Sequence, residues 1–477
     1  MVELVESPLS DEVVVCVDFG STFTKALLVD LTAGAVVAAA EHPTTIPIPG
    51  QQRDVLDGYD ACLVELVRAD PRAADAEVLA CSSAGGGLRI AVVGNEALVT
   101  AEAGRRVALS SGGKVVDVIA AAGRGEGRVS DTDPYAGLRH TTRPDVVLLT
   151  GGTDGGNSEV LLQAARDLVA TGWTGPVVVA GNVQAQAEVA EILGEVPHVL
   201  ADNVVPRIGV LAPAGARVAI REMFLAHVIG GKHLSRRTDF TAMVRGATPD
   251  VVLTGVELLA DGLDAEQPGG GDVVVVDVGG ATTDVHSVVD FDPEHAQLSR
   301  EVVAPTRVTR TVEGDLGMRW SAVSTVQAAD LPALEEAARR RTDDPGFLPA
   351  TDADRDDDEA VGHAAVGLAL RRHAGRSKVV VGPEGRVIER TGRDLREVDL
   401  LVGSGGVLRH GREGVAGRIF DGSVGTDLVG GWQLPERAVV VVDADYVLAA
   451  SGLLADTHPE AAYRLARSLL DGHSLTP

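Results

Sequence analysis

The sequence predicts an α/β protein of several domains, and three observations lead to it. Apolar runs with the spacing of strands alternate with runs spaced as helices over most of the 477 residues. A turn of aspartate, glycine and hydroxyl residues, flanked by valine-rich segments, occurs twice, at Asp18 and at Asp277. Hydrophobic residues account for 45% and charged residues for 23%, which supports packed cores over most of the length. At roughly 100–200 residues per domain, the length accommodates about two to four domains.

Val13 to Val17 reads as a buried strand that the turn DFGSTFTK interrupts and Ala26 to Val29 resumes. A further extended piece lies near Val36 to Ala40, TTIPIPG is a loop, and Arg53 to Arg68 carries helical spacing. Val78 to Ala84 and Leu88 to Val93 read as strands, Glu96 to Leu109 as a helix and Val115 to Ala121 as a strand. The polar, Gly- and Arg-rich stretch from Gly123 to Arg143 reads as the boundary of an inserted segment. Beyond it, strands at Val146 to Thr150 and Val177 to Ala180 alternate with helices at Ser158 to Ala170 and Val183 to Leu193, the pattern of a parallel sheet. Ala214 to His227 reads as a long helix, and Val251 to Ala260 is apolar without a decisive type.

The linker ADGLDAEQPGGGD precedes a second copy of the opening pattern: a strand at Val273 to Val276, the turn DVGGATTD and a strand at Val285 to Val289. Arg340 to Asp358, rich in aspartate, reads as a solvated loop. Leu400 to Val402 is a strand running into GSGGVL, and Val439 to Val442 is another. DAD then leads into an apolar helix through Leu454, with a short helix beyond Pro459. The expected division is a first lobe at 1–143, an inserted α/β segment at 144–264, a second lobe at 272–442 and a C-terminal helix and tail at 443–477.

Lys plus Arg is 42 and Asp plus Glu is 69, a net charge of −27 that repels phosphate backbones and anionic headgroups. Nucleic acid and membrane surfaces are therefore not expected partners. Aromatic residues are only 3%, so platforms for stacking bases or sugars are scarce. Cys16, Cys62 and Cys81 lack the spacing of zinc, iron–sulfur or disulfide frameworks and suit a reducing compartment. The acidic opening MVELVESPLSDE and the lack of an apolar window of about 20 residues fit a cytoplasmic protein.

An aspartate at the end of a buried strand, followed at once by glycine and hydroxyl residues, holds a carboxylate beside converging N–H and O–H donors. That combination suits a nucleotide phosphate with Mg²⁺. Gly20 lets the backbone approach closely, and Ser21, Thr22 and Thr24 can donate hydrogen bonds. Lys25, one of four lysines, either reaches the phosphates or points to solvent. In the second copy the corresponding clamp is Gly279, Gly280, Ala281, Thr282 and Thr283. Asp18 and Asp277 are the expected organisers of Mg²⁺-bound water, and Asp277 or Asp284 positions the attacking water. A lone hairpin of this kind needs no ligand; two copies can grip phosphates from opposite sides of a cleft.

DFGSTFTK and DVGGATTD resemble the two phosphate loops of the actin, Hsp70 and sugar-kinase superfamily of ATPases. VGSGGVLRHG is similar to that superfamily's adenosine loop, which implies Gly403, Ser404, Gly405 and Gly406 under the adenosine. DADYVLAASGLL is similar to its cleft-closing helix, with Asp445 at the start and small residues that allow close packing. The four segments occur in the superfamily's order. The fold this implies is a two-lobed actin-like ATPase with duplicated ribonuclease H-like domains and an α/β insertion.

A narrower resemblance covers nearly the whole chain. VVLLTGGTDGGNSEVLLQAA, VVVAGNVQAQAEVAEIL, CSSAGGGLRIAVVG and RTVEGDLGMRWS look like the glutamate mutase accessory family, the MutL or GlmL type that is unrelated to mismatch repair. It also resembles the large subunits of diol dehydratase reactivases. The resemblance implies ATP, ADP and Mg²⁺ as ligands and a cobalamin-dependent mutase or aminomutase as partner. It further implies an exchange of damaged cobalamin for intact coenzyme, with a small second subunit or a homo-oligomer as possible assemblies. The chain has no Asp-x-His-x-x-Gly segment, so no tightly bound cobalamin of its own is expected, and no G-x-x-x-x-G-K-[ST] loop.

Two short segments stay open at this level. GGTDGGN fits either an anion site at a helix N-terminus or a capped strand-to-helix turn. RTVEGDLGMR fits either a charged rim loop or a switch. The competing readings of the whole are a small-molecule kinase, with Asp277 or Asp284 as base, and an actin-type filament.

Overall fold

The computed structural model describes residues 12–47, 53–94, 99–120, 135–290, 306–382, 385–427 and 430–471. The chain opens with an antiparallel meander of β1 (Val13–Phe19), β2 (Phe23–Asp30) and β3 (Ala35–Pro43). Successive side chains of β1 point to opposite faces. Val15, Val17 and Phe19 enter one core and Val14 and Cys16 another, so both faces are covered and the run is apolar throughout. Helix α1 (Val55–Ala69) starts at a capping box in which Asp54 and Asp57 satisfy each other's backbone N–H groups. Strand β4 (Glu77–Ser82) then joins β1 in parallel.

From there the chain departs into a second layer. It comprises β5 (Leu88–Gly94), α2 (Thr100–Ser110), β6 (Gly113–Ala120), β7 (Val146–Leu149), α3 (Glu159–Ala170), β8 (Val177–Val179), α4 (Gln186–Leu193), β9 (His198–Leu200) and α5 (Ala214–Met223). Its sheet is parallel, in the order β6-β5-β7-β8-β9. The expected boundary at 143/144 cuts this sheet, because β5 and β6 precede that point and hydrogen-bond in line with β7. The polar stretch that suggested the boundary is the β6-to-β7 connection, and its residues 121–134 lie outside the described ones. The inserted layer therefore begins after β4 and ends where β10 (Val244–Ala247) returns alongside β4.

Helix α6 (Thr248–Asp261) follows, with Pro249 in its first turn. This settles the ambiguous Val251 to Ala260 run as helix. The second lobe is built from β11 (Val273–Val278), β12 (Thr283–Val288), β13 (Val308–Glu313), α7 (Glu335–Asp343), α8 (Asp352–His373) and the hairpin β14 (Arg376–Gly382) and β15 (Gly385–Thr391). It is completed by β16 (Leu400–Ser404), β17 (Val439–Val442), α9 (Val447–Leu454) and α10 (Pro459–Asp471).

The two lobe sheets run β10-β4-β1-β2-β3 and β13-β12-β11-β16-β17. In each, three antiparallel strands are extended on the far side of the first by two parallel ones. This is one plan used twice, the duplicated ribonuclease H-like arrangement of the two-lobed actin type. Helices α6, α9 and α10 share a core with one face of each sheet, including Val14 and Cys16 from the first and Val273 and Val275 from the second.

The stretch 340–358 is not a solvated loop. It contains the end of α7 and the start of α8, whose N-terminus carries a Thr351–Asp354 capping box. Arg341 is fully buried and donates to Asp358 Oδ1 at 2.5 Å, to Ala337 O and to Asp354 O. The acidic run is dense because its members cap a helix and neutralise a buried guanidinium.

Candidate functional site

The two aspartate turns are built alike. Gly20 N–H donates to Phe23 O at 3.1 Å, and Gly279 N–H donates to Thr282 O at 2.9 Å. Register pairs Asp18 with Lys25 in the first hairpin and Asp277 with Asp284 in the second. The turns face each other, since a Cβ on Gly280 would lie 2.9 Å from Thr22 Oγ1. Between them lies a cavity of about 800 Å³.

Asp18 is buried and held by four groups. Thr248 Oγ1 donates to its Oδ1 at 2.6 Å and Tyr446 O–H to its Oδ2 at 3.0 Å, Cys81 Sγ lies 3.6 Å from Oδ1, and Lys25 Nζ lies 3.6 Å from Oδ2. Lys25 Nζ also sits 3.7 Å from the centroid of the Tyr446 ring, a cation–π contact. Burial pushes the Asp277 carboxyl up to about 6; Lys25 opposes the rise, while Asp284, Asp18 and Asp443 add to it. Burial, then Asp18 and Asp277, likewise drive the Tyr446 hydroxyl well above its ordinary range, keeping it a donor.

Of the residues expected at the site, Asp18, Gly20, Ser21, Thr22, Lys25, Asp277, Gly279, Gly280, Ala281, Thr282 and Asp284 line the cavity, as do Gly405 and Gly406. Thr24 and Thr283 do not. Strand period two turns them away from Lys25 and Asp284, and Thr24 Oγ1 instead bonds Thr44 Oγ1 at 3.2 Å. Gly403 and Ser404 belong to β16, where Gly403 packs against Phe420 and Leu408. Gly405 makes the close approach: its φ is +108° and a Cβ there would lie 2.2 Å from Val278 O.

Asp445 is exposed and outside the cavity lining. Its place at the head of α9 is taken by Asp443, whose Oδ1 accepts from Val447 N–H at 2.7 Å and Oδ2 from Leu448 N–H at 3.2 Å. Burial raises the Asp443 carboxyl to about 6, against the pull of those two N–H groups.

RTVEGDLGMR supports the second turn. Met318 N–H donates to Gly279 O and Arg319 N–H to Gly280 O, while the Arg319 side chain pairs with Asp358 at 3.0 Å. GGTDGGN lies elsewhere, at the C-terminal end of β7, with Asp154 Oδ1 accepting from Val183 N–H and Asn203 Nδ2. Thr248, Tyr446 and Arg310 were not singled out as site residues: Thr248 lies in no motif, and Tyr446 and Arg310 lie inside DADYVLAASGLL and RTVEGDLGMR, whose spacing does not show which side chain meets an aspartate. Thr248→Val should lower the stability of the empty protein by about 1–2 kcal/mol, since it removes a donor to a buried carboxylate. A urea-melt midpoint unchanged by this substitution would contradict the geometry at Asp18.

Comparison with known proteins gives the family. A family model described as "MutL protein" matches residues 14–470. "Protein MutL" from Clostridium tetanomorphum is 33% identical over 471 residues, covering 95% of this chain and 98% of the relative. A nucleotide-free acetone carboxylase structure is similar at 15% identity and a TM-score of 0.41, over 93% of this chain and 70% of that one. A gluconate kinase from Lactobacillus acidophilus is similar at 12% identity and a TM-score of 0.29, over 96% and 89%. Both scores are low, and the fold assignment rests on the twice-used sheet order. Matched from one end of the described residues to the other, the chain belongs to the MutL protein family, the glutamate mutase accessory type.

Proposed function

We propose that this chain is an ATP-dependent accessory factor that reactivates an adenosylcobalamin-dependent mutase, such as glutamate mutase or an aminomutase, by exchanging damaged cobalamin for intact coenzyme. The observation that carries the reading is the pair of aspartate turns facing each other across one cavity, in a member of the MutL family.

The residues present fit a magnesium nucleotide. Thr22 Oγ1 is buried at the first turn without a hydrogen-bond partner, a donor waiting for an acceptor. Asp18 and Asp277 supply two carboxylates, the number that suits Mg²⁺ completed by water and phosphate oxygens. These two residues would hold the ion, which neutralises phosphate charge. Ser21 and Thr22 face Gly280 and Ala281 and offer N–H and hydroxyl donors to the phosphates from both lobes, while Gly20 and Gly279 close the two turns and Thr282 Oγ1 donates to Asp284 Oδ2 at 2.9 Å. Asp284, at the mouth of the second turn, orients the attacking water and accepts its proton. Gly405 and Gly406 leave room for the adenosine.

Work on the mutase follows if the open and closed clefts bind it with different affinity, because a nucleotide shifts an equilibrium only through such a difference. A radical enzyme that has lost its adenosyl group otherwise retains a tightly held, inactive cofactor.

The test is Mg²⁺-dependent ATP hydrolysis by the purified chain, with and without a mutase inactivated by turnover and supplied with free adenosylcobalamin. Hydrolysis accompanied by restored mutase activity is expected. ATP consumed with no effect on any such mutase would favour a small-molecule kinase, and an acceptor screen would identify its substrate. A chain that leaves ATP unbound would remove the nucleotide reading.

A further inference from the structure

The inserted α/β layer reaches into the nucleotide cavity. Gly112, in the turn between α2 and β6, and Lys114, at the start of β6, lie in its wall. Gly112 packs so tightly on α6 that a Cβ there would lie 2.7 Å from Asp250 N. One side chain ties this turn to the second aspartate hairpin. Arg310, buried on β13, donates Nε and Nη2 to Asp284 Oδ1 at 3.0 and 2.5 Å. Its Nη1 donates to the carbonyls of Leu109 at 3.0 Å and Gly113 at 3.2 Å.

The arrangement has a physical logic on both sides. Leu109 O is one of the last carbonyls of α2, at the negative end of the helix dipole; it accepts from Gly112 N–H at 3.2 Å and has a second lone pair for the guanidinium. A guanidinium offers several donors in a fixed plane, so it can satisfy that carbonyl and a carboxylate together where an ammonium could not. At its other end α2 meets β7: Thr150 Oγ1 donates to Thr100 O and to Val93 O, each at 3.1 Å. Thr150 runs directly into Gly151 and the GGTDGGN segment. A rigid helix of 11 residues, about 16 Å long, thus joins the nucleotide cavity to the glycine-rich edge of the inserted sheet.

We propose that Arg310 is the positioning residue of this site, fixing the Asp284 carboxylate for catalysis and passing its displacement into the inserted layer through the C-terminus of α2. The proposal rests on the nucleotide reading above and adds the route by which the hydrolytic state leaves the cleft. Asp284 cannot move toward a phosphate or a water without changing the Arg310 hydrogen bonds, and Arg310 cannot move without releasing or pulling Leu109 and Gly113. The inserted layer is therefore the element that distinguishes an ATP-filled from an ADP-filled cleft.

The experiment compares wild type, Arg310→Lys and Arg310→Ala in three measurements: displacement of a fluorescent ADP analogue by MgATP, single-turnover hydrolysis, and hydrogen–deuterium exchange of residues 100–120 with MgATP against MgADP. Binding should change little in either variant. Hydrolysis should fall on the order of tenfold in Arg310→Lys, which keeps one donor to Asp284, and on the order of 10²–10³-fold in Arg310→Ala. In wild type the two nucleotides should give different exchange at the C-terminal turn of α2, and in both variants that difference should vanish.

A melting curve on each protein checks folding, and Arg310→Lys alone decides the matter if Arg310→Ala does not fold. Variants that hydrolyse like wild type, or that keep the nucleotide-dependent exchange, overturn the proposal while leaving the nucleotide reading intact. A wild type whose α2 exchanges identically with both nucleotides does the same. A wild-type chain that binds no MgATP overturns both.

Discussion

Asp277→Asn should make the empty protein more stable and slow hydrolysis severely. The carboxyl at 277 is raised to about 6 by burial and by the neighbouring carboxylates, so at neutral pH the folded protein carries an ionised group in a place that disfavours it. A folded-state value above the unfolded one of about 3.8 means that the stabilising contribution is present below that lower value and is lost as pH rises through about 6. Asparagine carries no charge and escapes the penalty. The gain should be on the order of 1–3 kcal/mol above pH 7 and should shrink as pH falls from about 6 toward the unfolded value of about 3.8, below which the charge penalty is gone. Paired thermal melts at pH 4.5 and 7.5 measure it. Hydrolysis should fall on the order of 10³-fold, because one of the two carboxylates that would hold the ion is lost. An Asn variant that is both less stable and still active would show that Asp277 is structural.

The second large effect concerns the crossing of α6 and α9. A Cβ on Gly452 would lie 1.9 Å from Val251 O, and one on Gly255 would lie 2.1 Å from Leu448 O. The obstructing atoms are backbone, so no side chain can swing aside to make room. Gly452→Val should cost at least about 3 kcal/mol and weaken nucleotide binding, since α9 begins beside Tyr446 and thus beside Asp18. Gly417→Ala is the matched control, in a helix where a Cβ would meet nothing within 4 Å; it should be neutral or slightly stabilising. Urea melts of the two variants check the contrast, and equal midpoints would mean that the helices separate freely.

What sequence reading captured was local. Both aspartate turns were legible because the strand, the carboxylate and the glycine are contiguous. Lys25 could be placed relative to Thr24 only by knowing which face of β2 is covered by α1, and the structure puts the lysine in the cavity and the threonine against Thr44. Thr248 and Tyr446 meet Asp18 across most of the chain and Arg310 meets Asp284 from the next strand; Tyr446 and Arg310 lie in segments the sequence marks, but the pairing of each with its aspartate is set by the fold. The aspartate-rich stretch before Asp358 misled because charge density alone does not tell a solvated run from one that caps a helix around a buried arginine. The start of the inserted layer was misplaced because β4 and β5 follow one another with a short gap, and only the hydrogen bonding assigns them to different sheets.

The path of the chain through β4 and β10 has a consequence for how such a protein diversifies. These strands are parallel neighbours, with Val244 opposite Ala80 and Ala247 opposite Ser82, so the chain leaves the first lobe and re-enters it within a few residues of the same spot. A single crossover helix would satisfy that connection. Here the crossover has grown into a complete five-stranded layer. Its far edge can therefore accumulate substitutions, or be replaced, without altering a hydrogen bond in either lobe sheet. Descent can thus keep the two lobe sheets while exchanging the layer inserted between β4 and β10.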